Sequence, residues 1–197
     1  MQHLVLVQRR QEILDKAKET LEGRYPTTKV TTYAASVTDF DRISDILKEV
    51  GKIDILVPNV ATSHPFVPSK DVSTADFKNT FDTNVVATFN IIKEFLALES
   101  SGPRAVVNVS SAAGQMVQPG NVGYGPSKAA VNQVVMHFAK EYEGTDVTIQ
   151  NFHPGVIYTP GVANLVPEDA LPWEDGECLC PSSFLPAYTL VLGFVAD

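Results

Sequence analysis

Two spacings of apolar residues alternate along this chain, and their alternation predicts its architecture. Leu4 to Val7 is a short unbroken apolar run, whereas Ile13, Leu14, Ala17 and Leu21 fall on one stripe of a helix spanning Gln11 to Leu21. The pattern then repeats. Lys29 to Ala35 is rich in Val and Thr and reads as a strand; Asp39 to Val50 places Phe40, Ile43, Ile46, Leu47 and Val50 on one helical face, with Thr38 as the expected N-cap. Further strands are predicted over Ile53 to Val57, Ala105 to Val109 and Val147 to Phe152, and helices over Ala75 to Leu98 and Asn121 to Tyr142. Strands that are apolar on both faces, alternating with helices, predict an α/β fold: a doubly wound parallel sheet in a single domain.

Composition narrows the function without naming it. With 197 residues, 44% hydrophobic and 19% charged, the chain is long enough for one sizeable core and ordinary for a globular protein. A net charge of -8 with no basic cluster beyond Arg9-Arg10 argues against nucleic acid and for a small-molecule partner. Two cysteines, Cys178 and Cys180, are too close for an ordinary disulfide and too few for a zinc site, so a reducing, cytoplasmic location is expected. His3, His64, His137 and His153 show no metal-ligand spacing, and each is expected to serve the surface or the core. Met1 to Val7 lacks a basic flank before its apolar run and reads as a buried strand, not a leader.

The chemistry-bearing residues gather at strand ends. Tyr124 and Lys128 stand four apart on a predicted helix and so share a face, where an ammonium favours the phenolate form of a phenol. Ser111 closes an apolar strand thirteen residues before Tyr124. Asn59 follows another strand, and Pro154-Gly155 follows the last one. In an open parallel sheet the ligand lies outside the carboxyl ends of the strands, so these residues are expected to converge on one crevice. Each also has a structural alternative: a solvated helix pair for Tyr124 and Lys128, turn residues for Ser111 and Pro154-Gly155, satisfied amides for Asn59 and Asn84.

Taken together, these segments resemble a short-chain dehydrogenase/reductase of the classical type, over roughly residues 3 to 160. Asp54 to Ala61 is similar to the family's strand and Asn-Asn-Ala-Gly segment, of which only Asn59 survives; Val106 to Gly114 is similar to the strand carrying the catalytic serine, and the interval to Tyr124 favours Ser111 over Ser110. The resemblance implies a Rossmann-like fold and NAD(P)-dependent interconversion of a ketone or aldehyde with an alcohol. It assigns Tyr124 as acid/base, Lys128 as the charge that tunes it, Ser111 as the partner of the carbonyl oxygen, and Asn84 as a water-mediated relay to Lys128. It places Asn59 and Val37 near the adenosine end of the cofactor, with Ser36 where an aspartate is usual, and Pro154, Gly155, Ile157 and Thr159 beside the nicotinamide. The strand end Gln8-Arg9-Arg10 carries no acid, which points to NADP over NAD, with Arg9 as the contact; the alternative is an ordinary surface arginine pair. A homo-oligomer through the helices carrying Asn84 and Tyr124 is expected by the same resemblance. So is a lid after Thr159, where Val162, Leu165, Val166 and Trp173 suggest an apolar ligand.

The resemblance fails at both ends. The family's opening strand, glycine-rich turn and helix have no counterpart, a shortfall of roughly 30 to 40 residues that would leave a central slot in the sheet. The expected division is therefore an incomplete dinucleotide-binding domain over residues 1–167 and an atypical tail over 168–197. Both ends are expected to reflect an incomplete or misassembled gene reading, and stability of the domain by itself is in question. Two rival readings follow. One is a non-enzymatic remnant that holds no cofactor; the other is epimerase or dehydratase chemistry on nucleotide sugars, which uses a similar Tyr and Lys pair.

Overall fold

The computed structural model describes residues 2–155 and 189–193. Six strands form one sheet in the order β2-β1-β6-β3-β4-β5. They are β1 (Gln2–Gln8), β2 (Thr28–Ala34), β3 (Ile55–Pro58), β4 (Arg104–Val109), β5 (Val147–Phe152) and β6 (Thr189–Gly193), and every pairing is parallel. The helices are α1 (Gln11–Arg24), α2 (Phe40–Val50), α3 (Thr74–Phe81), α4 (Ala87–Ala97) and α5 (Tyr124–Glu141).

β1 shows how the unbroken apolar runs are used. Its successive side chains point to opposite faces, so Val5 and Val7 join one core while Leu4 and Leu6 join another. The first core is built with Ile43, Ile46 and Leu47 of α2, Ile91, Ile92 and Phe95 of α4, and Val131 and Val135 of α5. The second takes Leu14 of α1 and Val30 of β2. A strand buried on both faces has no polar side to alternate with, which is why its sequence reads as continuous.

Helix ends follow local capping chemistry. α2 is capped by Asp39, whose side chain accepts from the Arg42 backbone N–H at 3.2 Å, and not by Thr38, which turns back to the Ser36 hydroxyl at 2.8 Å. The stop is Gly51, at φ +75°. Ser73 caps α3 by accepting from the Asp76 N–H at 3.0 Å and donating to its carboxylate at 2.7 Å. The single helix expected over Ala75 to Leu98 is interrupted: Asp82–Val86 forms a π-turn between α3 and α4, in which the Ala87 N–H reaches back five residues to the Asp82 carbonyl. α5 likewise begins at Tyr124 and not at Asn121, because Asn121 to Gly123 form the turn that leads into it.

The largest departure from expectation lies at the centre of the sheet. The slot expected to stand open between β1 and β3 is filled by β6, from the segment read as an atypical tail of uncertain structure. Val191 pairs with Val5 on one side and Leu56 on the other, and Gly193 pairs with Val7 and Pro58. Filling it satisfies the backbone groups of both neighbours, which an open slot would have left unpaired.

Candidate active site

Because the sheet is parallel, its carboxyl ends lie along one edge. Gln8 is in register with Ala34, Gly193 with Val7 and Pro58, and Val109 with Phe152. A chain of contacts links the predicted residues along that edge. From the segment after β3, Thr62 offers its N–H to Asn84 Oδ1 at 2.8 Å and its carbonyl to Asn84 Nδ2 at 2.9 Å. Asn84 Nδ2 also donates to Ser127 Oγ at 2.9 Å, and Ser127 donates in turn to the Tyr124 carbonyl at 2.7 Å. Asn84 is 1% exposed and Ser127 fully buried, so both depend on these partners. The π-turn is what aims Asn84 inward between α3 and α4.

The second half of the site joins α5 to β4 and β5. Lys128 Nζ donates to the Val109 carbonyl at 2.9 Å and lies 5.7 Å from the centre of the Tyr124 ring. Ser111 opens the short 3₁₀ turn Ala112–Gly114 by accepting from the Ala113 N–H. Beside it, Ser110 donates to Asn132 Oδ1 at 2.6 Å and its N–H bonds the Phe152 carbonyl at 2.7 Å. Two glycines permit the close fit: a Cβ on Gly114 would sit 2.9 Å from the Ala129 nitrogen, and one on Gly125 would sit 3.0 Å from the Ala113 carbonyl oxygen. Ser110 thus fixes the strand end to α5, leaving Ser111 to face Tyr124.

The electrostatics differ from the sequence expectation. Burial pushes the Tyr124 phenol above its ordinary value, and the Ser111 hydroxyl pulls it only partly back. The expected lowering by Lys128 does not enter the phenol's own titration, because burial lowers the lysine's pKa to about 8 and the ammonium is discharged before a phenol of raised pKa ionises. Val109 O is the one hydrogen-bond acceptor that Lys128 meets among the described residues, so a buried cation retains donors. A vicinal ribose diol is the kind of group that fits them.

Other predicted positions are less committed. Pro154 and Gly155 follow β5 at the same edge, with Gly155 at φ +81°, while Ile157 and Thr159 lie outside the described residues, as do Val162, Leu165, Val166, Trp173, Cys178 and Cys180. Arg9 is exposed at the end of β1, beside the middle strand. Val37 is buried in the main core, and Ser36 bonds the Thr38 hydroxyl. Asn59 is partly buried just beyond β3. The side-chain amide of Asn84 is taken up by Thr62 and Ser127, so any relay to Lys128 is not through its amide hydrogens. Gly193 closes the middle strand, but the sequence continues Phe194-Val195-Ala196-Asp197 and not as a glycine-rich turn. Among the described residues, the remaining donors of Lys128 fit the ribose of a dinucleotide.

One participant escaped sequence reasoning. His64 is 4% exposed, and its Nε2 accepts the Gly123 N–H at 2.9 Å across 59 positions of sequence. No local spacing announces such a contact; Gly123 directly before Tyr124 was the one available hint.

Comparison with known proteins matches the chain to one family. The family model described as short chain dehydrogenase matches residues 1–170. The chain belongs to that family. It is 43% identical over 159 residues to the short chain dehydrogenase/reductase AacuD of Aspergillus aculeatus, covering 81% of this chain and 56% of that protein. It is 42% identical over 178 residues to the short chain dehydrogenase/reductase nsrO of Aspergillus novofumigatus, covering 87% and 61%. The chain thus spans little more than half the length of these relatives. Among solved structures, levodione reductase superposes with a TM-score of 0.77 at 22% identity, covering 85% of this chain and 78% of that one. NAD+-bound xylitol dehydrogenase gives 0.74 at 22%, covering 81% and 63%. These two likenesses establish the short chain dehydrogenase fold. Among the described residues no helix is long and apolar enough to cross a membrane, and no group of metal-ligating side chains occurs.

Proposed function

We propose that this short chain dehydrogenase interconverts a carbonyl compound and an alcohol, with Tyr124 as the proton donor and acceptor. The observation that carries the reading is the joint placement of Tyr124, Lys128 and Ser111 at the carboxyl edge, tied to Asn84 through Ser127. A nicotinamide cofactor, when bound, supplies or accepts the hydride. In the reducing direction Tyr124 gives its phenolic proton to the carbonyl oxygen, so a raised pKa keeps the acid form loaded near neutral pH. Ser111 holds that oxygen by a hydrogen bond as charge builds on it. Lys128, charged below about pH 8, favours the phenolate left behind and offers its spare donors to the ribose. Asn84 shapes the start of α5 through Ser127, and a water-mediated relay from it toward Lys128 does not use its amide hydrogens.

Arg9, exposed at the end of β1 within Gln8-Arg9-Arg10, a stretch of sequence that carries no acid, favours NADP by offering charge to a 2′-phosphate. The apolar residues after Thr159 favour an apolar substrate. Turnover of acetophenone or phenanthrenequinone with NADPH and NADH, in the wild type and in Tyr124→Phe, tests the reading; full turnover by the variant overturns it. A second reading is a protein of this fold that holds no dinucleotide. Titration with each cofactor separates the two.

A further inference from the structure

The residue immediately before Tyr124 is held by a side chain from a distant loop. We infer that His64 is a positioning residue for Tyr124: a neutral imidazole that accepts the Gly123 N–H and so fixes where α5 begins. This rests on the proposed role of Tyr124.

The two partners of the ring dictate its protonation. His64 Nδ1 lies 2.7 Å from the Pro65 carbonyl oxygen, which can only accept, so Nδ1 carries the hydrogen. Nε2 lies 2.9 Å from the Gly123 nitrogen, whose N–H can only donate, so Nε2 presents its lone pair. Only the neutral Nδ1–H tautomer satisfies both, whereas an imidazolium would set two N–H groups against each other.

The contact satisfies a donor at the start of the helix. Gly123 is the N-cap position of α5 and makes no side-chain cap of its own. The imidazole accepts the N–H of that N-cap residue, the donor that the N3 side chain serves in a capping box. Gly123 also passes the anchor forward, because its carbonyl accepts the Ser127 N–H at 3.1 Å, and Ser127 is the residue that bonds the Tyr124 carbonyl and Asn84. Tyr124 is therefore bracketed by the His64 and Asn84 contacts.

Packing explains why position 123 is glycine. A Cβ there would stand 2.6 Å from His64 Cδ2 and 2.9 Å from Nε2, so any larger residue displaces the ring. The same space touches Thr80 Oγ1 at 3.5 Å, and that hydroxyl is occupied with the Asp76 carbonyl of α3. α3, the loop carrying His64 and the start of α5 thus meet at one point.

The test uses the full chain and two variants. Gln at position 64 can place an amide oxygen near Nε2 and keep the acceptor; Leu fills similar space and cannot. Long-range ¹H–¹⁵N spectra of the wild type should show His64 neutral with Nδ1 protonated, a readout independent of turnover. An Nε2–H tautomer or an imidazolium at neutral pH overturns the proposal. The ¹³Cζ resonance of Tyr124, assigned with Tyr124→Phe, should move in His64→Leu and stay in His64→Gln; equal resonances in all three overturn it. With phenanthrenequinone and NADPH, His64→Leu should lose about 10- to 100-fold in kcat with KM nearly unchanged, the penalty of a displaced catalytic group, and His64→Gln should recover most of it. Loss in KM alone, or no recovery with Gln, counts against it. A wild type without turnover would sink the proposed reaction while leaving the two spectroscopic outcomes to decide the anchor.

Discussion

The two sides of this sheet edge differ in how completely they are built. On the α5 side, Asn84, Ser127, Gly123, His64, Ser110 and Asn132 hold Tyr124, Lys128 and Ser111 through hydrogen bonds between elements far apart in sequence. On the β1–β6 side, the middle strand comes from the far end of the chain and ends in one glycine, with Arg9 exposed nearby. Among the described residues the first side is tied by hydrogen bonds between elements and the second by strand pairing, and the proposed function makes the two separable: proton transfer on one, cofactor binding on the other.

The strongest way to break the contrast is at Tyr124. Tyr124→Phe should lower kcat/KM by about 10²- to 10⁴-fold, the range for removal of a general acid, while cofactor affinity stays within a few-fold. Steady-state kinetics beside a fluorescence titration reads both. If affinity fell as much as turnover, the two halves would not be separable.

Next in size is the middle strand. Val191→Pro removes a backbone N–H between β1 and β3 and should cost about 3 kcal/mol or more, measured by urea unfolding. An unchanged midpoint would mean that β6 does not hold the sheet together. Asn84→Ala tests the other half: three hydrogen bonds vanish from a buried site, and a loss of about 2 to 4 kcal/mol is expected.

Lys128 gives a smaller effect of opposite sign. Its folded pKa is depressed to about 8 from 10.5, so the unfolded chain binds the proton more tightly in that window. The penalty is full below about pH 8 and fades as pH rises toward 10.5, so stability should rise across that interval. Lys128→Met should abolish this slope and leave the protein at pH 7 as stable as the wild type or up to ~2 kcal/mol more so, because relief of desolvation outweighs the unpaired Val109 carbonyl. Activity, where present, should decline as the wild type is taken above about pH 8 and the ammonium discharges. The smallest effect belongs to Arg9→Ala, expected to weaken NADPH relative to NADH by roughly 1 kcal/mol if the guanidinium meets the 2′-phosphate near the surface.

What was legible in the sequence was whatever has a local period or a fixed spacing. Leu4 to Val7, the stripe Ile43, Ile46 and Leu47, and the Tyr124 to Lys128 interval all carry their structure in a few neighbouring residues. Three features did not. The π-turn at Asp82–Val86 costs one extra residue in a helical pattern that otherwise continues, so its apolar stripe barely changes. His64 and Gly123 meet across a loop, and neither residue type predicts the other. Thr189 to Gly193 is itself an apolar run closed by a glycine, a strand signal by the same rule that found β1, but nothing local says which strands it will join. The direction of the Tyr124 shift was likewise out of reach, because desolvation is a property of the packed site and not of spacing.

The account turns on whether the formed half of the site serves a cofactor. Titration of the full chain with NADPH and NADH, followed by quenching or by energy transfer to the nucleotide, measures this directly. Saturable binding of at least one, retained in Tyr124→Phe, is the predicted result. No binding of either by a folded wild-type chain would contradict it.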